Sequence, residues 1–316
     1  MTTGNQIKYL QHKEIDKAKW DTCISNASNG LIYACSFYLD SMAKYWDALI
    51  MNDYEVVMPL PHRKKLSIHY LYQPFLTPVL GVFGKNISEQ LVCNFLEAIP
   101  EFFKLWDISL NQSNLIPKKF QLQFKRSNYL LSFAGQSYES LQNSYSDNIR
   151  RNIAKAVKSG CIAKKNISIT QIVSICKREW PKFTTPEKNS FDLILSNFEK
   201  FSPFATSYGV YHPSGELLSS CVFLIFQKRA YYWLVGNEPE AKEFGTSPML
   251  LDQFIKDHAG KDLTLDFEGS DAASVAEFYR RFGATLETYT TIYNNKLPFP
   301  LSLLKRMPSS YVKLIS

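Results

Sequence analysis

The sequence has no long apolar run: the longest, such as Cys221–Phe226, fall far short of the ~20 residues that cross a bilayer. No basic-then-apolar leader opens the chain, Met1–Lys8 being polar, so the expectation is a soluble, cytoplasmic protein. Glycine is sparse, 13 residues in 316, which excludes a collagen-like repeat. The six cysteines (Cys23, Cys35, Cys93, Cys161, Cys176, Cys221) include no CxxC pair. Scattered in this way they point to buried thiols in a reducing compartment, and a chain with this many bulky side chains is no small disulfide scaffold. The five histidines (His12, His62, His69, His212, His258) show no HxxxH or HExxH spacing, so no metal site is expected.

What is present is the balance of a folded protein. Hydrophobic residues make up 45% and charged residues 21%, and 22 Phe with 18 Tyr can fill more than one core. The length fits two domains at ~100–200 residues each.

The formal charge is +7, and nearly all of the excess is local. Asn148–Lys165 contains Arg150, Arg151, Lys155, Lys158, Lys164 and Lys165 and no acid; without it, 30 basic residues face 29 acidic ones. The segment has the marks of a helix: Ser146 or Asp147 can cap its first turn, and Gly160 suits the position past its last. Ile149, Ile153, Ala156 and Val157 form an apolar stripe. Arg151, Lys155 and Lys158 recur at i, i+4 and i+7 on another stripe. Such a row suits a polyphosphate or a nucleic-acid backbone, and equally a solvated helix face.

The remaining pattern predicts a mixed, mostly antiparallel α/β architecture whose element order occurs twice. The first half opens with strand Ile7–Gln11 and helices Glu14–Ser25 and Ser36–Tyr45. Strands Trp46–Met51, Glu55–Leu60 and His69–Gln73 follow, with Pro59, Pro61, Pro74 and Pro78 confining them to short stretches, edges or bulges. Helix Ser88–Leu105, strand Trp106–Leu110 and an antiparallel pair Phe120–Phe124 and Tyr129–Phe133 complete it. In the second half, helices Ser168–Trp180 and Glu187–Phe201 precede a meander of Phe204–Tyr211, Leu217–Phe226 and Arg229–Val235. Helix Ser247–His258, strand Leu263–Phe267, helix Asp271–Phe282 and strand Leu286–Tyr293 close it. The expected domains are 1–135 and 136–293, with the tail 294–316 packing back on the first.

Three local constellations could hold chemistry. Gly245, Thr246 and Ser247, followed by Pro248, start a helix and could offer backbone N–H groups to an anion, or simply cap it. In Leu263–Ser270, strand alternation puts Thr264, Asp266 and Glu268 on one face at a strand end, where α/β folds often hold ligands. Asp266 or Glu268 could orient or deprotonate an attacking amine; alternatively Ser270 or Asp271 caps the next helix and Glu268 is solvated. In Phe278–Gly283, Arg280 and Arg281 either complement the helix C-terminus or meet an anionic substrate.

Ser146–Gly160 resembles the S-x-x-x-R-R-x-I-x-K-A-x-K-x-G helix of FemAB/FemX-like proteins. Asp266-Phe267-Glu268-Gly269 and Phe278-Tyr279-Arg280-Arg281-Phe282-Gly283 resemble that family's D-F-x-G strand end and F-K-x-x-F-G helix end, in the same order. The likeness covers about Ser137–Gly283, with Tyr279 standing where the family has lysine. It implies two tandem domains of the GNAT (Gcn5-related N-acetyltransferase) type. It further implies transfer of an acyl or aminoacyl group to a small-molecule or peptide amine, with acyl-CoA or aminoacyl-tRNA as co-substrate and no permanently bound cofactor.

On that resemblance Arg150, Arg151, Lys155 and Lys158 become contacts to donor phosphates, together with Gly245, Thr246 and Ser247. The Gly245–Ser247 loop departs from the GNAT R/Q-x-x-G-x-G/A pattern, with Glu243 near an expected basic or amide position. Ser270, Tyr279, Arg280 and Arg281 become substrate contacts. tRNA is then an expected partner and DNA is not. The competing readings are a non-catalytic tandem module that binds an anionic or nucleotide-containing ligand, and an RNA-binding protein using the basic helix.

Overall fold

The computed structural model describes residues 6–120, 122–182, 189–269 and 271–304. Tertiary contacts divide the chain into two compact units, one reaching Arg126 and resuming at Thr288, the other Ser127–Glu287.

The first unit contains β1 (Ile7–Leu10), α1 (Lys17–Asn26), α2 (Ser36–Met42), β2 (Tyr45–Met51), β3 (Val56–Lys65), β4 (Ile68–Leu71), β5 (Phe83–Gly84), α3 (Glu89–Glu97) and β6 (Phe103–Leu110). β1 to β4 form an antiparallel meander, β6 joins parallel to β4, and β5 pairs with the start of β3. Leu49, Met58, Phe95, Phe103 and Trp106 are among the residues of its buried core.

Pro59 and Pro61 lie inside β3, opposite Ala48 and Trp46 of β2. The strand tolerates them because β5 pairs only with Val56 and Val57, and β4 only from His62 onward. The missing N–H groups therefore fall where the second side of β3 has no ladder. Helix α3 is shorter than its apolar periodicity suggests: it stops at Glu97, Pro100 lies beyond it, and the chain re-forms as β6.

β7 (Gln123–Ser132) is one continuous strand where the pattern predicted two. The second unit follows with α4 (Tyr138–Asn143), α5 (Asp147–Lys158), β8 (Ile162–Lys165), α6 (Ile169–Glu179), α7 (Ser190–Phe201), β9 (Ala205–Tyr211), β10 (Leu217–Phe226) and β11 (Arg229–Asn237). Then come α8 (Ala241–Phe244), α9 (Thr246–His258), β12 (Thr264–Asp266), α10 (Ala273–Arg280), β13 (Thr285–Asn295) and α11 (Leu301–Leu304). From Thr288 onward the chain belongs to the first unit, and Thr290–Asn295 pairs antiparallel with β6. Of the tail, residues 305–316 lie outside the described residues.

The second unit's sheet runs β7-β12-β11-β10-β9-β8, antiparallel except for β11 and β12. Each unit thus threads strand, two helices, three antiparallel strands, a helix and a strand parallel to the last. Both are mixed sheets flanked by helices.

The second unit's core gathers Phe223, Tyr232, Phe254, Leu265, Phe267 and Phe282. Phe223 stacks on Phe254 with ring centroids 3.7 Å apart. All six cysteines are free and buried. Among the described residues no helix is long and apolar enough to cross a membrane.

Candidate functional site

All the sequence-predicted site residues fall in the second unit, and the sheet sorts those described into groups. β11 and β12 pair only through Arg229–Tyr231 against Thr264–Asp266. β12 then ends, and the Phe267 N–H donates to the Tyr129 carbonyl of β7 at 3.0 Å, so the chain turns away from β11. β11 continues to Asn237, and its register against β10 slips between Val222 and Phe223, leaving Trp233 as the extra residue. A bulge of this kind bends its strand. Two parallel strands that part at their C-terminal ends mark the place where α/β sheets often receive ligands.

Tyr279, on α10, lies in that region. It is buried and stacks on Phe267 at 4.5 Å, with Tyr129 and Tyr232 at its edges. Its hydroxyl has no hydrogen-bond partner among the described residues. Burial, helped by the charge of Glu268, pushes its pKa well up, so the phenol keeps its proton at neutral pH and acts as a donor.

Glu268 departs from the alternation read from sequence. The strand stops at Asp266, and Glu268 has φ 60°, a left-handed conformation that takes it out of the Thr264/Asp266 face. Its half-buried carboxylate acts electrostatically on both Tyr279 and the Cys221 thiol.

Asp266 is held differently. It is 3% exposed; Oδ2 accepts from Arg229 Nη1 at 2.9 Å and Oδ1 from the Glu268 N–H at 2.8 Å. With both oxygens engaged, Asp266 clamps the strand end and fixes where Glu268 begins.

Beside this clamp is a carboxylate that the sequence pattern did not single out. Glu287, near the start of β13, accepts from Asn128 Nδ2 at 3.3 Å and sits within the field of both Arg229 and Asp266. Burial raises its pKa, Arg229 and the Asn128 hydrogen bond lower it, and the net shift is upward. A raised carboxyl holds its proton more tightly folded than unfolded, so ionising it costs stability above its folded pKa and nothing in acid. Glu287→Gln is therefore expected to unfold later than the parent at about pH 7 and together with it at about pH 3. Urea denaturation at the two values measures this; a variant less stable at neutral pH would contradict it.

The glycine and the hydroxyls of the Gly245 loop are committed to packing. Gly245 has φ 71°, and a Cβ there would stand 2.3 Å from the Asn152 carbonyl oxygen, so only glycine lets α9 start against the backbone of α5. The Thr246 hydroxyl, fully buried, bonds Ser219 at 2.7 Å, and the Ser247 hydroxyl bonds Asn237 Oδ1 at 2.7 Å. Both side chains are spent on the sheet.

α5 matches its sequence reading closely. Ser146 is the N-cap, its hydroxyl accepting from the Ile149 N–H, and Gly160 follows the helix with φ 73°. Ile149 and Ala156 are buried while Val157 is 60% exposed. Arg150 is tied to Asp147 and the Asn143 carbonyl. Arg151, Lys155 and Lys158 are exposed and have no ion pair or hydrogen bond among the described residues.

At the end of α10, Arg280 pairs with Glu277, and Arg281 bridges Glu277 to Asn148 of α5 at 3.1 and 3.2 Å. Arg280 is thus paired within α10, and Arg281 fastens that helix to α5. Ser270 lies outside the described residues.

A mixed sheet with a bulged strand that parts from a parallel neighbour between packed helices defines the class. The particular fold is that of FemX: the chain is similar to its crystal structure with a TM-score of 0.64 at 13% identity, covering 94% of this chain and 99% of that one. It is also similar to a conserved protein of unknown function from Bacteroides thetaiotaomicron (TM-score 0.58, 12% identity, 90% and 99% coverage). A third likeness is to the C-terminal domain of a putative lysylphosphatidylglycerol synthetase from Agrobacterium fabrum (0.53, 12%, 95% and 96%). At these identities the likeness establishes a shared fold, and the FemAB/FemX-like resemblance holds at that level. No family model matches the chain, and no curated protein matches it by sequence.

Proposed function

We infer that the protein is an N-acyltransferase of the FemAB-like kind, two GNAT-type domains in tandem, moving an aminoacyl or acyl group from an activated donor to an amine. The carrying observation is the parting of β11 and β12, with a protonated Tyr279 phenol, without a hydrogen-bond partner among the described residues, near the Glu268 carboxylate. In direct transfer the amine nitrogen attacks the donor carbonyl carbon, and the bond from that carbon to the leaving oxygen or sulfur breaks. Tyr279 donates to the oxygen on which negative charge develops or to the leaving atom, and Glu268 accepts the proton that the amine loses. No covalent enzyme intermediate is required. Asp266 holds the strand end that positions Glu268.

Between the two donors, the observations favour aminoacyl-tRNA. The hydroxyls of the Gly245 loop are internally bonded, which leaves that loop poor in side-chain donors for a pyrophosphate. Arg151, Lys155 and Lys158 line an exposed helix face, a surface suited to a long polyanion. A fold shared with FemX and a putative lysylphosphatidylglycerol synthetase supports the same direction.

Thermal unfolding with charged tRNA, uncharged tRNA, acetyl-CoA and CoA tests this reading. A ligand at ~100 times its dissociation constant stabilises by ~2.7 kcal/mol, a measurable shift. A shift with tRNA, larger when charged, is expected. A shift with CoA compounds alone would reassign the donor, and none with any of the four would favour a non-catalytic binding module.

A further inference from the structure

The hairpin joining β3 and β4 breaks a local rule without any gain to the fold. Lys65 pairs with Ile68, so the loop is the two residues Leu66 and Ser67, with φ of 47° and 64°. That is the left-handed pair of a type I′ turn, which Asn-Gly fills without strain and a leucine resists. Leu66 nevertheless sits there with 85% of its surface exposed, the highest among the exposed large apolar residues described. A strained, fully exposed aliphatic tip contributes nothing to packing, so its use lies outside the molecule.

The surroundings of the tip state what it meets. Residues 61–72 hold Arg63, Lys64 and Lys65 and no carboxylate. His69, opposite Lys64, touches Phe102 edge-on at 5.5 Å, and Tyr45, opposite His62, stacks on that imidazole at 6.0 Å. Phe102 and Tyr45 are themselves 44% and 53% exposed. Both line an open cavity of about 500 Å³ with Lys13 and Lys44 at its rim.

The two carboxylates of that cavity are hydrogen-bonded from within, and Asp40 is paired with Lys17. Asp47 accepts from Tyr9, His62 and the His12 N–H, and Asp40 from His12, Lys17 and Trp46. Lys13, Lys44, Lys64 and Lys65 have no ion pair among the described residues. One face of the first unit therefore offers two interfacial aromatics with Lys13, Lys44 and, by strand alternation, Lys64, and the aliphatic tip beside them carries Lys65 on its other side.

We propose that this face docks on an anionic phospholipid surface, Leu66 entering the headgroup–acyl boundary, Tyr45 and Phe102 lying at the interface, and the lysines meeting the headgroups. Aliphatic and aromatic groups at the boundary with lysines over anionic headgroups are the general pattern of peripheral membrane attachment. The leucine at the tip offers a base no ring to stack on, which favours a lipid surface over single-stranded RNA at the most exposed point of the face. The proposal is independent of the transfer chemistry in the second unit.

Co-sedimentation of the full chain with vesicles of equimolar phosphatidylglycerol and phosphatidylcholine, against phosphatidylcholine alone, tests it. Binding is expected only to the anionic vesicles and weakens with salt. Leu66→Asn should lower the partition coefficient about tenfold while unfolding no earlier than the parent, because asparagine accepts the left-handed turn. Lys64→Gln and Lys65→Gln should each cost about fivefold. Absence of vesicle binding, or Leu66→Asn binding as the parent does, would overturn the proposal. So would hairpin variants that lose tRNA affinity with vesicle binding unchanged.

Discussion

Arg229→Met is expected to lower the unfolding free energy by about 3–5 kcal/mol at neutral pH. Asp266 keeps 4% of its side-chain surface in contact with solvent, and Arg229, at 20%, is its ion-pair partner. Removing the guanidinium leaves a buried carboxylate with one backbone N–H and no counter-charge. The loss comes from that stranded charge more than from the pair itself, because a buried pair roughly offsets its own desolvation. Arg229→Met combined with Asp266→Asn should therefore recover much of the stability, since the amide oxygen still accepts from the Glu268 N–H without needing a partner charge. Urea unfolding of the two variants and the parent reads this directly. A single variant within 1 kcal/mol of the parent would mean that Asp266 is solvated and that its clamp on the strand end is weak.

Tyr279→Phe should lower the rate of transfer about 10²–10³-fold with little change in unfolding midpoint. The ring stack on Phe267 and the contacts with Tyr129 and Tyr232 survive the change. Only a hydroxyl without a partner among the described residues is lost, so the fold has nothing to forfeit. If Tyr279 serves packing alone, the variant will turn over at the parental rate. If the phenol merely binds substrate, KM will rise while kcat holds. A fall in kcat at constant KM is the signature of a donor acting in the transition state. Glu268→Gln should lower kcat in the same assay, because an amide cannot take the proton that the amine releases.

Much of this was legible in the sequence where local chemistry decides the outcome. The Ser146 cap, the apolar stripe through Ile149 and Ala156, and the Gly160 stop together delimit α5. The meander β9-β10-β11 was equally clear, its apolar runs broken at Pro213–Gly215 and at Gln227–Lys228. The reading failed where long-range pairing overrides local signals. Lys125–Asn128 reads as a polar turn, yet it continues β7, with the Ser127 N–H held by Asp271 and Asn128 by Glu287. Strand alternation misassigned Glu268 because a left-handed residue after Asp266 is invisible to a period of two.

Glu287 was missed for a different reason. It belongs to no motif, and only the neighbourhood of β7, β11 and β12 brings it to Arg229 and Asn128. At Gly245 the hydroxyls are already bonded to Ser219 and Asn237, while the backbone N–H groups that the sequence points to stand in the first turn of α9.

The most direct measurement of the central claim follows a labelled aminoacyl group on tRNA as the protein is mixed with a panel of primary amines. The starting ester is cleaved by mild alkali and an amide product is not, so the two are distinguished without knowing the natural acceptor. The account predicts amine-dependent conversion of label to an alkali-stable product, lost in Tyr279→Phe and in Glu268→Gln. Label that remains alkali-labile with every amine, under conditions where the charged tRNA is bound, would contradict transfer and leave a fold that binds without reacting.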